Sequence, residues 1–407
     1  MRIAMIFRKL NIIGGSQRHA LNMAVKLQEM GHEVTLYAIH GGNGGFSDVI
    51  KKFRVVSLEV HHAPVYSKNP LGKLISFLKN IRNENTDARA LAFLIDPNTD
   101  VLNPHHDPIA YKVAYYFKRC VHNVPSVWTM NDLTTRQFLY VRDSEVNSLW
   151  KSSRIKQAVN AIADWCEKKK FIASQDAISV LDDRDRKWAE EMLGREAVVV
   201  RSGIEVSNFP YRKRTDLQKN VVSLFTTGIF FPHRRFEDII EAMKLCDAKG
   251  VRADLFIVGK YEDKDSYYRK VSERVRAKGL EARVHFLGEV SEADLIAHYR
   301  KHDIFILSSH LQSWGIATFE AMACGMPVIV SNSAGAAEVL RDGENALLID
   351  PKNPQKMADA ILRLIGDPRL YASLSEKGRE FTETRISWNE SAKNILALFN
   401  HVLEKYS

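Results

Sequence analysis

A chain of 407 residues, 45% apolar and 26% charged, carries enough apolar material for two folded domains and too much to stay disordered. Its net charge of +9 is interspersed with acids instead of gathered into basic runs with aromatics between them, which argues against a nucleic-acid partner. No apolar run reaches the length of a membrane span, and Cys120, Cys166, Cys246 and Cys324 are scattered without a C-x-x-C pair, against zinc and against a disulfide framework.

The N-terminal MRIAMIFRKL has too short an apolar stretch, and no small-residue cleavage site, for a secretory signal. A reducing cytoplasm is the expected compartment, with the inner face of a membrane as an alternative. Within that stretch RIAMIF predicts a strand, followed by a glycine-containing loop. ALNMAVKLQEMG then predicts a helix stopped at Gly31, and EVTLYAI a second strand. Residues 67–83, SKNPLGKLISFLKNIRN, place Leu71, Leu74, Ile75, Leu78 and Ile81 at helical spacing from about Pro70. Lys68, Lys73, Lys79 and Arg82 surround that stripe. Such a segment is either a surface helix packed on the core or a contact with anionic lipid headgroups.

Further strands are predicted at DVLNPHH, SVWTMND and AISVL. The alternation restarts after the polar, turn-rich segment 201–220, which reads as a linker. VVSLFTTG, ADLFIVG, VHFLG, DIFILSS and PVIVSN are strands, and FEDIIEAMKLCDAKG is a helix ending at Gly250. Short buried strands separated by helices mean parallel sheets covered on both faces. The expectation is an α/β protein of two Rossmann-like domains facing across a cleft. Residues 1–205, completed by 385–407, form the first, and residues 206–384 the second.

Ligands of open parallel sheets bind beyond the carboxyl ends of the strands. After the first strand, Gly14 and Gly15 would let backbone amides approach a ligand, although neither a dinucleotide nor a P-loop fingerprint is complete. The stretch SWGIATFEAMACG is more informative. Gly315, Ile316, Ala317 and Thr318 open a helix whose free N–H groups suit a diphosphate, and Glu320 lies one turn inside. That carboxylate either caps its helix or accepts hydrogen bonds from the two hydroxyls of a ribose.

In order and spacing, GGSQRHALNMAVKLQEMGHEVTLYA, DVLNPHH, VWTMND, SGIEVSNF, FIVG, VHFLGEVSEADLIAHYRKHDIFILSS, SWGIATFEAMACGMPVIVSNSAGAAEVLRDGENALLIDP and ISWNESAKNIL resemble family 4 glycosyltransferases of the GT-B fold. The resemblance covers nearly the whole chain. It implies a retaining transfer of sugar from a nucleotide diphosphate sugar to the hydroxyl of a sugar, glycan or lipid-linked acceptor, with no cofactor and no required metal. It implies that Glu320 binds ribose and that Gln312, which replaces a family glutamate, touches the transferred sugar. Ile229 replaces a family arginine, and Arg234 falls where a lysine neutralises the leaving diphosphate, with Arg235 as a neighbouring alternative. Phe286 and Leu287 would flank the base through backbone groups. Asn131 stands in place of a histidine near the transferred sugar, with Ser16, His105, His106 and Asp132 as acceptor-side candidates. The tail should return to the first domain at Trp388. Because Gln312, Ile229 and Asn131 all depart from the family pattern, an inactive sugar-nucleotide-binding subunit, or a nucleotide-sugar epimerase or hydrolase, is the alternative.

Overall fold

The computed structural model describes residues 1–10, 15–41, 47–58, 61–67, 69–131, 154–217 and 221–406. The chain divides into two compact units, Met1–Arg201 with Trp388–Ser407, and Ser202–Ser387.

In the first unit, β1 (Arg2–Lys9), β2 (Glu33–His40), β3 (Arg54–Ser57) and β4 (Val101–Pro104) form a parallel sheet in the order β3-β2-β1-β4. Strands β5 (Val127–Met130), β6 (Ala177–Val180) and β7 (Val198–Val199) form a second run, tied to β4 by single bridges at Leu102–Ser126 and His105–Thr129. The chain reverses its direction of winding between β1 and β4, so the crevice at their carboxyl ends is the topological switch point. Helices α1 (Gly15–Glu29), α2 (Ser47–Ile50), α3 (Pro70–Ala92) and α4 (Pro108–Cys120) connect the first five strands. Gly31 takes φ 85°, the left-handed turn that ends α1. Asn69 and Asp107 cap α3 and α4, each followed by proline in the first turn, where its missing N–H costs nothing. The final helix, Trp388–Leu403, belongs to this unit. Its Trp388, Ile395, Phe399 and Val402 are buried in one cluster with Leu21, Ala24 and Leu36.

The second unit is a six-stranded parallel sheet, β10-β9-β8-β11-β12-β13. Its strands are β8 (Val221–Thr227), β9 (Arg252–Val258), β10 (Val284–Gly288), β11 (Ile304–Leu307), β12 (Val328–Ser331) and β13 (Leu347–Ile349). Here the switch point lies between β8 and β11. A Cβ on Gly259, just past β9, would collide with the Gly228 carbonyl, so glycine permits the two loops to approach.

The boundaries fall at Arg201/Ser202 and Ser387/Trp388, against the expected 205/206 and 384/385. Described residues of the segment 201–220 do not behave as a tether. Arg214 is buried, and its guanidinium donates to the Tyr299 carbonyl at 2.9 Å and the His302 carbonyl at 2.5 Å. Those oxygens end the helix Glu292–Lys301, and a forked cation satisfies them well. The composition was polar, but its charge is spent on a helix terminus.

Candidate functional site

In the first unit a small cleft open to solvent lies at the switch point. The ends of β1, β4 and β5 supply Phe7, Arg8, Lys9, His105, His106, Asp107 and Asn131, and α1 supplies Ser16 and Gln17. Asn131 is 7% exposed, and neither end of its amide has a hydrogen-bond partner among the described residues. A buried amide left so is costly unless something arrives to pair with it. His105 stacks on Phe7 and its Nε2 meets Asn103 Oδ1 at 2.7 Å, while its Nδ1 is unpartnered. Burial, then the neighbouring His19 and His106, push its pKa well below the usual histidine range, so the ring is neutral. His106 holds a left-handed φ of 52°, a conformation histidine tolerates better than most residues, and its Nδ1 is also unpartnered.

Five lining residues carried no signal in the sequence: Phe7, Arg8, Lys9, Gln17 and Asp107. Arg8 is engaged, its Nε at 2.7 Å from Asp107 and its Nη2 at 2.7 Å from Glu84. Glu84 also faces the buried Lys112, which pairs with Glu167 at 2.8 Å. This ionic chain fixes the carboxyl end of β1 against α3 and α4. Ser16 gives its hydroxyl to Gln17 Oε1. Gly15 opens α1, and a Cβ there would touch nothing within 4 Å, so no neighbour demands glycine. Gly14 and Asp132 lie outside the described residues.

In the second unit the loops after β8, β11 and β12 are tied together. Ser308 Oγ donates to the Arg234 carbonyl at 2.7 Å, and His310 N–H to the His233 carbonyl at 2.7 Å. Gly335 N–H donates to the Gln312 carbonyl at 3.0 Å. Arg235 and Leu311 both hold left-handed φ values, 56° and 57°, so strain is stored in the two loops that meet. The two arginines have different fates. Arg235 pairs with Asp238 at 2.9 Å and with Glu237 at 3.5 Å. Arg234 lies over Gly228, within 2.8 Å of where a Cβ would stand, and forms no ion pair among the described residues. Burial lowers its pKa to about 10, which still leaves it charged at neutral pH.

Gln312 presents a buried Oε1 with no partner, and Thr318, fully buried, an unpartnered hydroxyl. Gly315 takes φ 73°, and a Cβ there would press to 3.0 Å from Leu307, so a tight turn delivers the chain to the short helix Ala317–Ala323. Hydrogen bonds of that turn begin with Thr318 N–H to the Gly315 carbonyl, leaving Ile316 and Ala317 ahead of it. Glu320 is buried and accepts from Tyr299 Oη at 2.8 Å. A β-bulge between Phe286 and Gly288 takes Leu287 out of register with β9. Phe286 instead packs its ring on Phe230 and Tyr268.

The sequence profile of the Glycosyl transferases group 1 matches residues 208–381, and that of Glycosyltransferase Family 4 matches residues 13–208. The chain is 26% identical to a phosphatidyl-myo-inositol mannosyltransferase of Mycobacterium leprae, over 99% of this chain and 97% of that protein. It is 33% identical to a mannosylfructose-phosphate synthase of Agrobacterium fabrum, over 34% of this chain and only 30% of that protein. Among solved structures, the sucrose-phosphate synthase of Thermosynechococcus elongatus superposes with a TM-score of 0.71 at 18% identity, covering 99% of each chain. Anabaena HepE in complex with UDP and glucose superposes with a TM-score of 0.71 at 17% identity, over 98% of this chain and 99% of that one.

Proposed function

Since the chain belongs to family 4 of the glycosyltransferases, enzymes of the GT-B fold, we propose that it transfers a sugar, with retention, from a nucleotide diphosphate sugar to an acceptor hydroxyl in glycan, polysaccharide or glycolipid synthesis. The observation that carries this reading is Arg234, a guanidinium with no carboxylate partner among the described residues, on a loop bonded to the one that bears Gln312 and leads into the helix with Thr318. A half-buried cation and two unpartnered polar groups are complementary to a polyanion with hydroxyls attached.

Arg234 would take the charge that gathers on the diphosphate as the glycosidic bond breaks, with the amides at Gly315, Ile316 and Ala317 and the hydroxyl of Thr318 around it. Stabilising a leaving group in this way needs no proton transfer. Gln312 would hold hydroxyls of the sugar while it passes through an oxocarbenium-like state. Glu320, oriented by Tyr299, would accept from the ribose diol, and the backbone at Leu287 would meet the base. Asn131 is assigned to a sugar hydroxyl, with His105 and His106 on the acceptor side. That UDP and glucose are bound by a structural neighbour supports a nucleotide-sugar donor. Incubation with UDP- and GDP-sugars, followed by nuclear magnetic resonance of the released or transferred sugar, tests the reaction. The anomeric configuration of the donor should be kept. An inverted product, or an epimerised nucleotide sugar, would refute the mechanism.

We propose further that the enzyme works at an anionic membrane surface. No described helix is long and apolar enough to cross a membrane. On α3, however, Ile75 and Leu78 are each 58% exposed instead of packed on the core, beside exposed Lys73, Lys79 and Arg82. Ile81 is half-buried, and Lys68 and the side chains of Leu71 and Leu74 lie outside the described residues. Exposed apolar side chains flanked by lysines are suited to headgroups, and their charge contribution is screened by salt. Flotation with phosphatidylglycerol vesicles should succeed at low salt and fail at high salt. No binding at low salt would make α3 an ordinary surface helix.

A further inference from the structure

Arg234 and Glu237 stand three residues apart, the separation at which the neighbouring Arg235 and Asp238 form an ion pair. Arg234 nevertheless forms no ion pair among the described residues, and its Nε is buried with no partner among them. The acid is engaged elsewhere. Glu237 is buried, and its Oε2 accepts from Tyr267 Oη at 2.5 Å. Its Oε1 accepts from Lys270 Nζ at 3.1 Å, with Arg235 Nη1 more distant at 3.5 Å. Tyr267 and Lys270 both come from the helix Ser266–Ala277, which packs on the helix Phe236–Asp247. The phenol proton has one place to go. Tyr267 Oη accepts the Phe236 N–H at 2.9 Å, at a helix start that Arg235 does not cap with its side chain. The hydroxyl therefore directs its proton at the carboxylate, which can only accept. Burial, and then the Glu237 charge, raise the phenol well above its usual pKa range, so it remains a donor. The same phenol lies close enough to Arg234 to bear on the pKa of that cation.

We propose that Tyr267 is a positioning residue for the donor site: by holding Glu237 together with Lys270, it keeps that acid from neutralising Arg234 and leaves the guanidinium to the diphosphate. The assignment rests on the donor reading and adds to it the device that keeps its cation available. Without the hydroxyl, a buried carboxylate loses its shortest hydrogen bond and gains by turning to a cation that lacks a partner. An incoming diphosphate would then have to displace Glu237 before it met Arg234. Lys270 is exposed and gives the weaker hold, since its ammonium is largely solvated.

The test titrates UDP and GDP by calorimetry into the full chain and its Tyr267→Phe, Tyr267→Phe/Glu237→Gln and Arg234→Ala variants, with melting curves to check folding. Tyr267→Phe should weaken the nucleotide that the parent binds about tenfold or more. Adding Glu237→Gln should restore the affinity, because an amide cannot neutralise Arg234. An unchanged affinity in Tyr267→Phe, or a loss that Glu237→Gln does not recover, overturns the proposal and leaves the hydroxyl as a cap for its neighbouring helix. If Tyr267→Phe does not fold, Lys270→Met decides: it removes the exposed hold on the same acid and should weaken binding in the same direction, and no effect overturns the proposal. Nuclear magnetic resonance of the Arg234 Nε–H keeps the two readings apart. That signal should move in Tyr267→Phe and return with Glu237→Gln whether or not a nucleotide binds. Arg234→Ala binding nucleotide like the parent sinks the donor reading, whereas an Nε–H signal that Tyr267→Phe leaves in place sinks the Tyr267 assignment alone.

Discussion

Replacing Arg234 with alanine should lower kcat/KM by about a hundred- to a thousandfold, the usual effect of removing a preorganised group that meets developing charge. The argument is electrostatic. Arg234 is a cation partly withdrawn from water, with its pKa drawn down to about 10 by burial and no described carboxylate to offset the cost. Such an arrangement is unfavourable until an anion arrives, so its removal should leave the melting temperature unchanged or slightly raised. Arg235→Ala is the contrasting control. It abandons Asp238 and Glu237 on the next helical turn, and should cost stability while sparing the chemical step. Melting curves beside steady-state kinetics for the two variants separate these effects. Equal losses of activity would mean that the loop as a whole, and not the Arg234 charge, carries the function.

Acid should destabilise the protein well before its carboxylates titrate. Burial lowers the pKa of His19 to about 4 and that of His302 to about 3, from about 6.5 in an unfolded chain. Both folded values are depressed, so below pH 6.5 the unfolded chain binds the protons that the folded chain refuses. The stability these groups contribute is complete above that pH and is lost as pH falls toward the folded values. Each costs about 1.4 kcal/mol per pH unit, or about 2 kcal/mol between pH 6.5 and 5. His105 shifts in the same direction and lies in the first unit with His19, so that unit should weaken more steeply. Urea denaturation at pH 7 and pH 5, monitored separately for each unit, checks this. A midpoint that does not move over that interval would show that these rings are solvated in the folded protein.

The sheets were legible because parallel strands buried on both faces read as unbroken apolar runs, as in VWTM at β5 and IFIL at β11. Strands β3, β7 and β13 escaped notice because RVVS and VV hold only two apolar residues each and LLI three, too few for an apolar run to stand out. Gly31 and Gly250 marked helix ends correctly because only the left-handed turn there requires glycine. The site was harder. The resemblance puts Arg234 first with Arg235 as its neighbouring alternative, and in the structure Arg235 pairs with Asp238 while Arg234 lies over Gly228. Lys9 and Asp107 are ordinary charges until the strand order β3-β2-β1-β4 brings the ends of β1 and β4 to one crevice. The segment 201–220 reads as a polar linker, and the sequence does not show that one of its charges, Arg214, spends its donors on buried carbonyls.

Calorimetry of a bare nucleotide diphosphate against Glu320→Gln and Gln312→Ala, with turnover of the full donor measured beside it, tests the donor site most directly. Glu320 accepts from Tyr299 in the free enzyme, and glutamine can keep that bond, so the substitution removes charge with little change of shape. Loss of charge-assisted bonding to a ribose diol should cost about 1.5–3 kcal/mol, or roughly ten- to a hundredfold in affinity. Gln312→Ala should bind the nucleotide like the parent and fail in transfer. If Glu320→Gln binds the nucleotide as tightly as the parent, Glu320 serves only the packing of its helix against Tyr299, and the nucleotide is held elsewhere.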